Sequence, residues 1–201
     1  NIGDEDRVKA VVNICKQKNI PIRIGVNSGS LEKDILAKYG SPTAEALVES
    51  ALGHIRILER YDFDKIAVSM KSSDVYTMIQ ANRLLANACS YPLHLGVTEA
   101  GRGEAGTLKS AICIGSLLSS GIGDTIRVSL TNDPLDEIAA ATNILKSMGL
   151  YEHGYINVVS CPTCGRTKID LIAICQQLEP RLRALKTNKK LKSINFIYYF
   201  N

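Results

Sequence analysis

The sequence predicts an α/β fold: half of a (β/α)8 barrel over residues 1–152, followed by a smaller domain over 153–201. Three observations carry this reading. Four strand patterns alternate with helical patterns over about 150 residues. Asn27, Lys71, Glu99 and Ser129 each sit at or just past the C-terminal end of a different strand pattern, where barrels of this class collect their active-site residues. A domain boundary then falls near Gly149 to Gly154. A doubly wound sheet has the same alternation, but it would spread its polar residues along a crevice.

The elements follow in order. Residues 5–18 put Val8, Val11, Val12 and Cys15 on one helical face. Ile20 to Val26 reads as a strand, with Pro21 at its start, and Asn27-Ser28-Gly29-Ser30 as a polar turn. Residues 43–60 form an amphipathic helix through Ala44, Leu47, Val48, Ala51, Ile55 and Leu58. Ile66 to Met70 is a short strand, and residues 74–88 are a helix that Asp74 caps. Leu93 to Val97 is the third strand and 107–119 a mostly apolar helix. Thr125 to Leu130 is the fourth strand. Asp133-Pro134 then opens a helix that ends near Gly149. In the second domain Ile156 to Ser160 is a strand, Cys161-Pro162-Thr163-Cys164-Gly165 follows, and a helix runs over 167–185. The aromatic-rich end, Ile194 to Asn201, differs abruptly from the rest and reads either as a strand or as residues foreign to the fold.

The composition excludes several classes. Apolar residues make up 45% and charged residues 22% of the 201, a soluble globular balance. A net charge of +4, scattered along the chain, does not suit nucleic acid, and the basic run Lys186 to Lys192 reads as a solvated tail. No apolar run spans a bilayer and no secretory signal opens the chain. The first residues, Asn1-Ile2-Gly3, lack an initiating Met, as expected of a partial sequence. Of the six cysteines, Cys15, Cys89, Cys113 and Cys175 lie singly in apolar helical patterns and read as small buried hydrophobes. The irregular spacing argues for a reducing compartment, the cytoplasm, over a disulfide framework.

Five segments carry chemistry. In Ile22 to Ser30, Arg23 offers a forked donor, Asn27 an amide, and Gly29 an open backbone, a set that can hold a phosphate. Lys71, after Ser69-Met70, is a point charge at a strand end. Leu93 to Gly106 places Glu99, a candidate general acid or base, before Gly101, Gly103 and Gly106. Those glycines match a dinucleotide-binding pattern. That reading requires an acid at the end of the next strand, where Ser129 stands, and Asp124 lies before that strand. His94 reads as a satisfied core residue. Arg127 and Ser129 are two apart in a strand and so share a face; with Arg23 and Lys71 on neighbouring strands they make an anion site. Cys161 and Cys164 form a C-x-x-C pair, half of a zinc site, half of an iron–sulfur site or a redox dithiol, with His153 the only nearby histidine.

In this order and at about these intervals, the segments resemble the 4-hydroxy-3-methylbut-2-enyl diphosphate synthase family. The likeness runs from Asn1-Ile2-Gly3 to about Leu178 and is most specific at Pro21 to Ser30, Gly96 to Gly101 and Ser160 to Thr167. It implies that the barrel half is the second, C-terminal one, followed by the start of a small α+β iron–sulfur domain. It implies reductive ring opening of 2-C-methyl-D-erythritol 2,4-cyclodiphosphate, with Arg23, Asn27, Lys71, Arg127 and Ser129 binding the diphosphate and Glu99 assisting proton transfer. Cys161 and Cys164 match two of the three cysteines that, with a glutamate, hold a [4Fe–4S] cluster. Electrons arrive from ferredoxin or flavodoxin, and the family's dimers are head-to-tail.

The sequence departs from the family's pattern at both ends. The first barrel strands and their arginines are not in it, and Lys192 to Asn201 stands where a Gly-rich segment with the third cysteine and the glutamate is expected. The 201 residues alone are therefore expected to be inactive. Two other classes share part of the signal: a metal-free phosphate-binding barrel transferase of the pterin-binding-synthase kind, and a zinc-stabilised binding module.

Overall fold

The computed structural model describes residues 5–160, Gly165 and 168–182 in full, and 183–184 and 194–198 as backbone. Cys161, Cys164 and the basic run 186–192 lie outside the described residues. The chain divides into two units, 1–144 and 145–201.

In the first unit, α1 (Glu5–Lys18) leads to β1 (Ile22–Asn27) and a single 3-10 turn at Ser28–Ser30. Then come α2 (Lys33–Tyr39), α3 (Ala44–Glu59), β2 (Ile66–Lys71), α4 (Val75–Ala88), β3 (His94–Leu95), α5 (Gly103–Leu118), β4 (Thr125–Ile126) and α6 (Pro134–Ser147). The helix starts follow from local chemistry. Thr43 Oγ1 accepts from the Ala46 amide at 3.2 Å, and Asp74 Oδ1 from the Thr77 amide at 2.7 Å. Pro134 takes the first turn of α6, while Asp133 Oδ1 accepts from the Leu135 amide at 2.8 Å. The short α2 is absent from the sequence reading. It ends at Gly40, whose φ of 73° is the left-handed cap that glycine favours.

All strand pairings in this unit are parallel. β1 pairs with β2 from Ile22↔Ile66 to Asn27↔Lys71. β2 meets the start of the third strand at Val68↔Leu93, with the Val68 amide donating to the Pro92 carbonyl at 2.8 Å. β3 pairs with β4 at His94↔Thr125 and Leu95↔Ile126. The spatial order is therefore β1, β2, β3, β4, the same as the chain order. A doubly wound sheet reverses its order at a switch point; no reversal occurs among these strands, and the arrangement is that of consecutive barrel units.

The burial of β1 alternates: Ile24 and Val26 are buried while Arg23, Gly25 and Asn27 are exposed. The apolar side joins Val68, Met70, Leu95 and Val128 with Leu47, Ala51, Ile55 and Leu58 of α3, Met78 and Leu85 of α4, and Ile114 and Leu117 of α5 in one core. Each such side chain contributes on the order of 1.5–3 kcal/mol by leaving water. Val11 departs from expectation. It is 52% exposed, although Val8 and Val12 on the same helix are buried. It borders a cleft of about 250 Å³ between α1 and β1, also lined by Ile22, His54 and Leu58.

The third and fourth strands are shorter than their sequence patterns. The Arg127 amide still donates to the Leu95 carbonyl at 2.8 Å, but beyond it the backbone bonds leave the ladder. The Leu130 amide goes to Glu137 Oε1 at 2.8 Å and the Thr131 amide to the Gly101 carbonyl at 3.0 Å. The strand ends are drawn into the loops of the next units instead of continuing as sheet.

In the second unit, β5 (Ile156–Ser160) pairs in parallel with β6 (Ile194–Tyr198), so the aromatic-rich end contains a strand. Between them α7 spans Leu171–Ala184 with Pro180 inside it, beginning later than expected because Asp170 accepts from the Ala173 amide at 2.9 Å as its cap. His153 packs edge-on against the Tyr151 ring at 5.3 Å, an aromatic contact.

Candidate anion site at the strand ends

The parallel register builds the site. In adjacent paired strands, ladder partners lie on the same face. Arg23, Gly25 and Asn27 therefore share a face with Ala67, Ser69 and Lys71. The Val68↔Leu93 bridge places Leu93 on the core side, so His94 falls on the same open face as Ser69. His94↔Thr125 then carries that face to Thr125, and the Arg127 amide bond to the Leu95 carbonyl extends it to Arg127. The sheet thus has one face against the helices and one polar face, and the polar face collects residues from all four strands.

Three of those residues are cations. Among the described residues none of Arg23, Lys71 and Arg127 is ion-paired with a carboxylate. Their mutual repulsion is felt. Burial, then Arg127, then Arg23 hold the Lys71 ammonium below its ordinary 10.5. Arg127 reaches Ser129 Oγ at 3.5 Å, and Asn27 pairs with Lys71 across the ladder without using its side chain to cap the next turn. Of the residues named from the sequence, Arg23, Asn27 and Lys71 share one face of the β1–β2 ladder; Arg127, just past β4, stands near enough to Lys71 to act on its charge and holds Ser129 within reach.

His94 differs from its reading as a satisfied core residue. It is only 6% exposed, and its Nδ1 lies 2.8 Å from Thr125 Oγ1, but its buried Nε2 has no hydrogen-bond partner. Burial, then Arg23, Lys71 and Arg127, lower its pKa from 6.5 to about 4. Ser69 Oγ, on the same face, is also buried without a partner. The sequence reading contains neither as a site residue. The available signal was the parity of the strand pattern, which puts His94 and Ser69 on the face of Arg127 and Lys71.

Glu99 stands just beyond β3, exposed, with φ at 54°, a left-handed conformation uncommon for a residue with a side chain. The Thr98 amide, one residue earlier, donates to the Ser72 carbonyl at 3.3 Å, fixing this turn to the end of the second strand. Gly106 has a packing explanation. A Cβ there would lie 2.8 Å from both the Gly101 carbonyl oxygen and Leu130 Cδ2, so only glycine lets α5 begin against the loop that follows β4. Asp124, the acid weighed for a ribose, accepts from the Leu93 amide at 2.7 Å at the start of β3, the opposite end of the strands from Lys71. A second polar cluster anchors the loop after Asn27. Glu32 accepts from Ser50 Oγ at 2.8 Å and lies 2.6 Å from His54 Nε2, which ties that loop to α3.

The described residues contain no group of three or more His, Cys, Asp or Glu suited to a metal. The C-x-x-C pair, Cys161 and Cys164, lies outside them, and two thiols are half the ligand set of a four-iron cubane. Cys113 is fully buried and its thiol is pushed up to about 12 by burial, which makes it an inert core residue, as expected. Cys15, Cys89 and Cys175 are only partly buried. No helix among the described residues is long and apolar enough to cross a membrane.

Comparison with known proteins agrees with the fold. A family profile described as the GcpE TIM-barrel domain matches residues 1–142. A Clostridium perfringens protein named 4-hydroxy-3-methylbut-2-en-1-yl diphosphate synthase (flavodoxin) is 60% identical over 191 residues, covering 95% of this chain and 54% of that protein. Proteins of the same name from Fusobacterium nucleatum and Haemophilus ducreyi are 57% and 56% identical, covering 95% and 93% of this chain and 54% and 50% of their own. The chain spans about half the length of the curated relatives it matches. On the matched residues and the sequential parallel strands together, the chain belongs to the GcpE TIM-barrel family.

Proposed function

We propose that the open face of the sheet holds the phosphate groups of a small cyclic diphosphate, 2-C-methyl-D-erythritol 2,4-cyclodiphosphate, and that the whole protein opens this ring reductively to 4-hydroxy-3-methylbut-2-enyl diphosphate. The observation that carries the reading is the cation cluster: Arg23 and Lys71 from two paired strands and Arg127 from just past a third lack carboxylate partners among the described residues and depress the titration of a shared neighbour. A cluster of uncompensated cations on a half-buried face is stabilised by a multiply charged anion. Arg23 and Arg127 supply forked donors to phosphate oxygens, Lys71 a compact charge, and Asn27 and Ser129 neutral hydrogen bonds that set orientation.

Glu99 is the carboxylate of this rim and is assigned the proton delivered as the carbon–oxygen bond breaks and the oxygen leaves as water. Cys161 and Cys164 would hold two corners of a [4Fe–4S] cluster, which when bound supplies the two electrons of the reduction. Those electrons come from flavodoxin, which the relatives' name contains, or from ferredoxin. We place the protein in the cytoplasm and read the full-length form as a head-to-tail homodimer. The 153–201 segment is read as the beginning of the cluster domain. The chain by itself is expected to be inactive, because its two C-x-x-C thiols do not complete a cubane.

Calorimetric titration of the full-length protein with the cyclic diphosphate tests the binding half of this reading. R127Q and K71M should each weaken binding at least about tenfold, the value of a lost charge-assisted bond. Unchanged affinity in both variants would remove the site.

A further inference from the structure

We infer that His94 Nε2, with Ser69 Oγ beside it, is the floor of the phosphate pocket: a neutral imidazole N–H that donates to an oxygen of the anion held by Arg23, Lys71 and Arg127. The inference deepens the proposed phosphate site and rests on it. Three observations support it, each independent of the residues' roles in relatives. The first is register. Gly25 pairs with Ser69 and His94 with Thr125, one step down the strands from Asn27↔Lys71 and one step up from Arg23↔Ala67, so the serine and the histidine lie on the same face between Lys71 and Arg23. The second is that both polar atoms are buried and unpartnered, a rare state that costs on the order of 1–3 kcal/mol each unless a ligand or water satisfies it. The third is the Thr125 hydroxyl at 2.8 Å from Nδ1. When that hydroxyl donates to Nδ1, the imidazole proton sits on Nε2, the buried atom that has no partner.

The charge state agrees. The ring is buried and faces Arg23, Lys71 and Arg127, so it stays neutral until about pH 4. A neutral ring adds a donor without adding a fourth mutually repelling cation. It also leaves the pocket's charge unchanged across the range in which ordinary histidines titrate. Ser69 Oγ supplies a second, rotatable hydroxyl donor at the same depth.

The test is a two-bond proton–nitrogen NMR spectrum of the full-length protein with 15N-histidine, titrated with inorganic pyrophosphate. The expected spectrum shows His94 neutral and protonated on Nε2. Its Nε2 resonance should move on saturation, and its pKa should rise as the anion offsets the neighbouring cations. By calorimetry with pyrophosphate, H94F should bind about tenfold or more weakly, the value of a lost bond to a charged acceptor. H94Q, whose amide nitrogen falls near the position of Nε2, should recover most of that loss, and S69A should lose a few-fold. An Nε2 resonance unmoved at saturation, a proton on Nδ1, or wild-type affinity in H94F would each overturn the inference while leaving the cation site standing. Failure of the wild-type protein to bind pyrophosphate at all would remove the phosphate site and this floor with it. If H94F does not fold, the wild-type spectrum alone decides.

Discussion

Gly96 is the position where the sheet and the site are most tightly coupled, and Gly96→Ala is a sharp perturbation of both. An added Cβ would lie 2.6 Å from the Arg127 carbonyl oxygen and 3.6 Å from Arg127 Cβ. Reaching an ordinary contact of 3.4 Å requires a displacement of roughly 0.8 Å. The clashing atom is backbone, so no side chain can swing away. The cheapest response moves the fourth strand outward, and the bond from the Arg127 amide to the Leu95 carbonyl, now 2.8 Å, lengthens with it. Overpacking of this kind costs about 1–3 kcal/mol, which for a chain of this size lowers Tm by roughly 2–10 °C. The same movement carries the guanidinium of Arg127 away from Lys71 and weakens the bonds it would give an anion, by up to about tenfold in affinity. Calorimetric unfolding and pyrophosphate titration of the G96A protein measure the two effects. Both should fall together. A protein with unchanged Tm and unchanged affinity would show that the third and fourth strands are not held at this spacing, and the geometry derived for Arg127 would be wrong.

Three further outcomes follow from the same structure. His94 has a folded pKa below its unfolded 6.5, so the unfolded chain binds the extra proton; stability is full above pH 6.5 and is lost as pH falls toward about 4, by roughly 3 kcal/mol, a slope that urea titrations of H94Q should lack. Asp74→Ala removes the acceptor for the Thr77 amide and should cost about 1 kcal/mol by thermal unfolding, the wild-type advantage fading in acid because that hydrogen bond holds the Asp74 carboxyl below its usual 3.8. Cys113 should resist a thiol-specific reagent in the native protein while Cys15 and Cys89 react slowly, and equal labelling rates would contradict its burial.

What could be read from the sequence was what is local. Period-two alternation and turn residues are properties of a few neighbouring positions, so Asn27, Lys71 and Ser129 could be assigned to strand ends, and Arg23 and Arg127 to the strands themselves, before any coordinates. The caps at Asp74 and Asp133 were legible for the same reason. His94 and Ser69 were not, because what marks them is an unmet hydrogen bond. That depends on which atoms of three other strands come near, and a lone histidine in an apolar strand looks the same whether or not its second nitrogen is satisfied. The early ends of β3 and β4 were hidden for a related reason: the partners of the Leu130 and Thr131 amides, Glu137 and Gly101, lie far along the chain or across a loop. The helix α2 was missed because it is short and buries no residue of its own, leaving no apolar stripe to detect. Val11 shows the converse error. Its periodicity is that of a core residue, but its neighbour across the face is a cleft.

The central claim is that Arg23, Lys71 and Arg127 share one pocket whose natural occupant is a polyanion. The titration of Lys71, followed by NMR after reductive 13C-methylation of the lysines, tests it most directly. In the free protein Lys71 should titrate below 10.5, should rise when Arg127 is replaced by glutamine, and should rise further when pyrophosphate is added to the wild type. A Lys71 that titrates at 10.5, indifferent to both the substitution and the anion, would mean the three cations do not face one another.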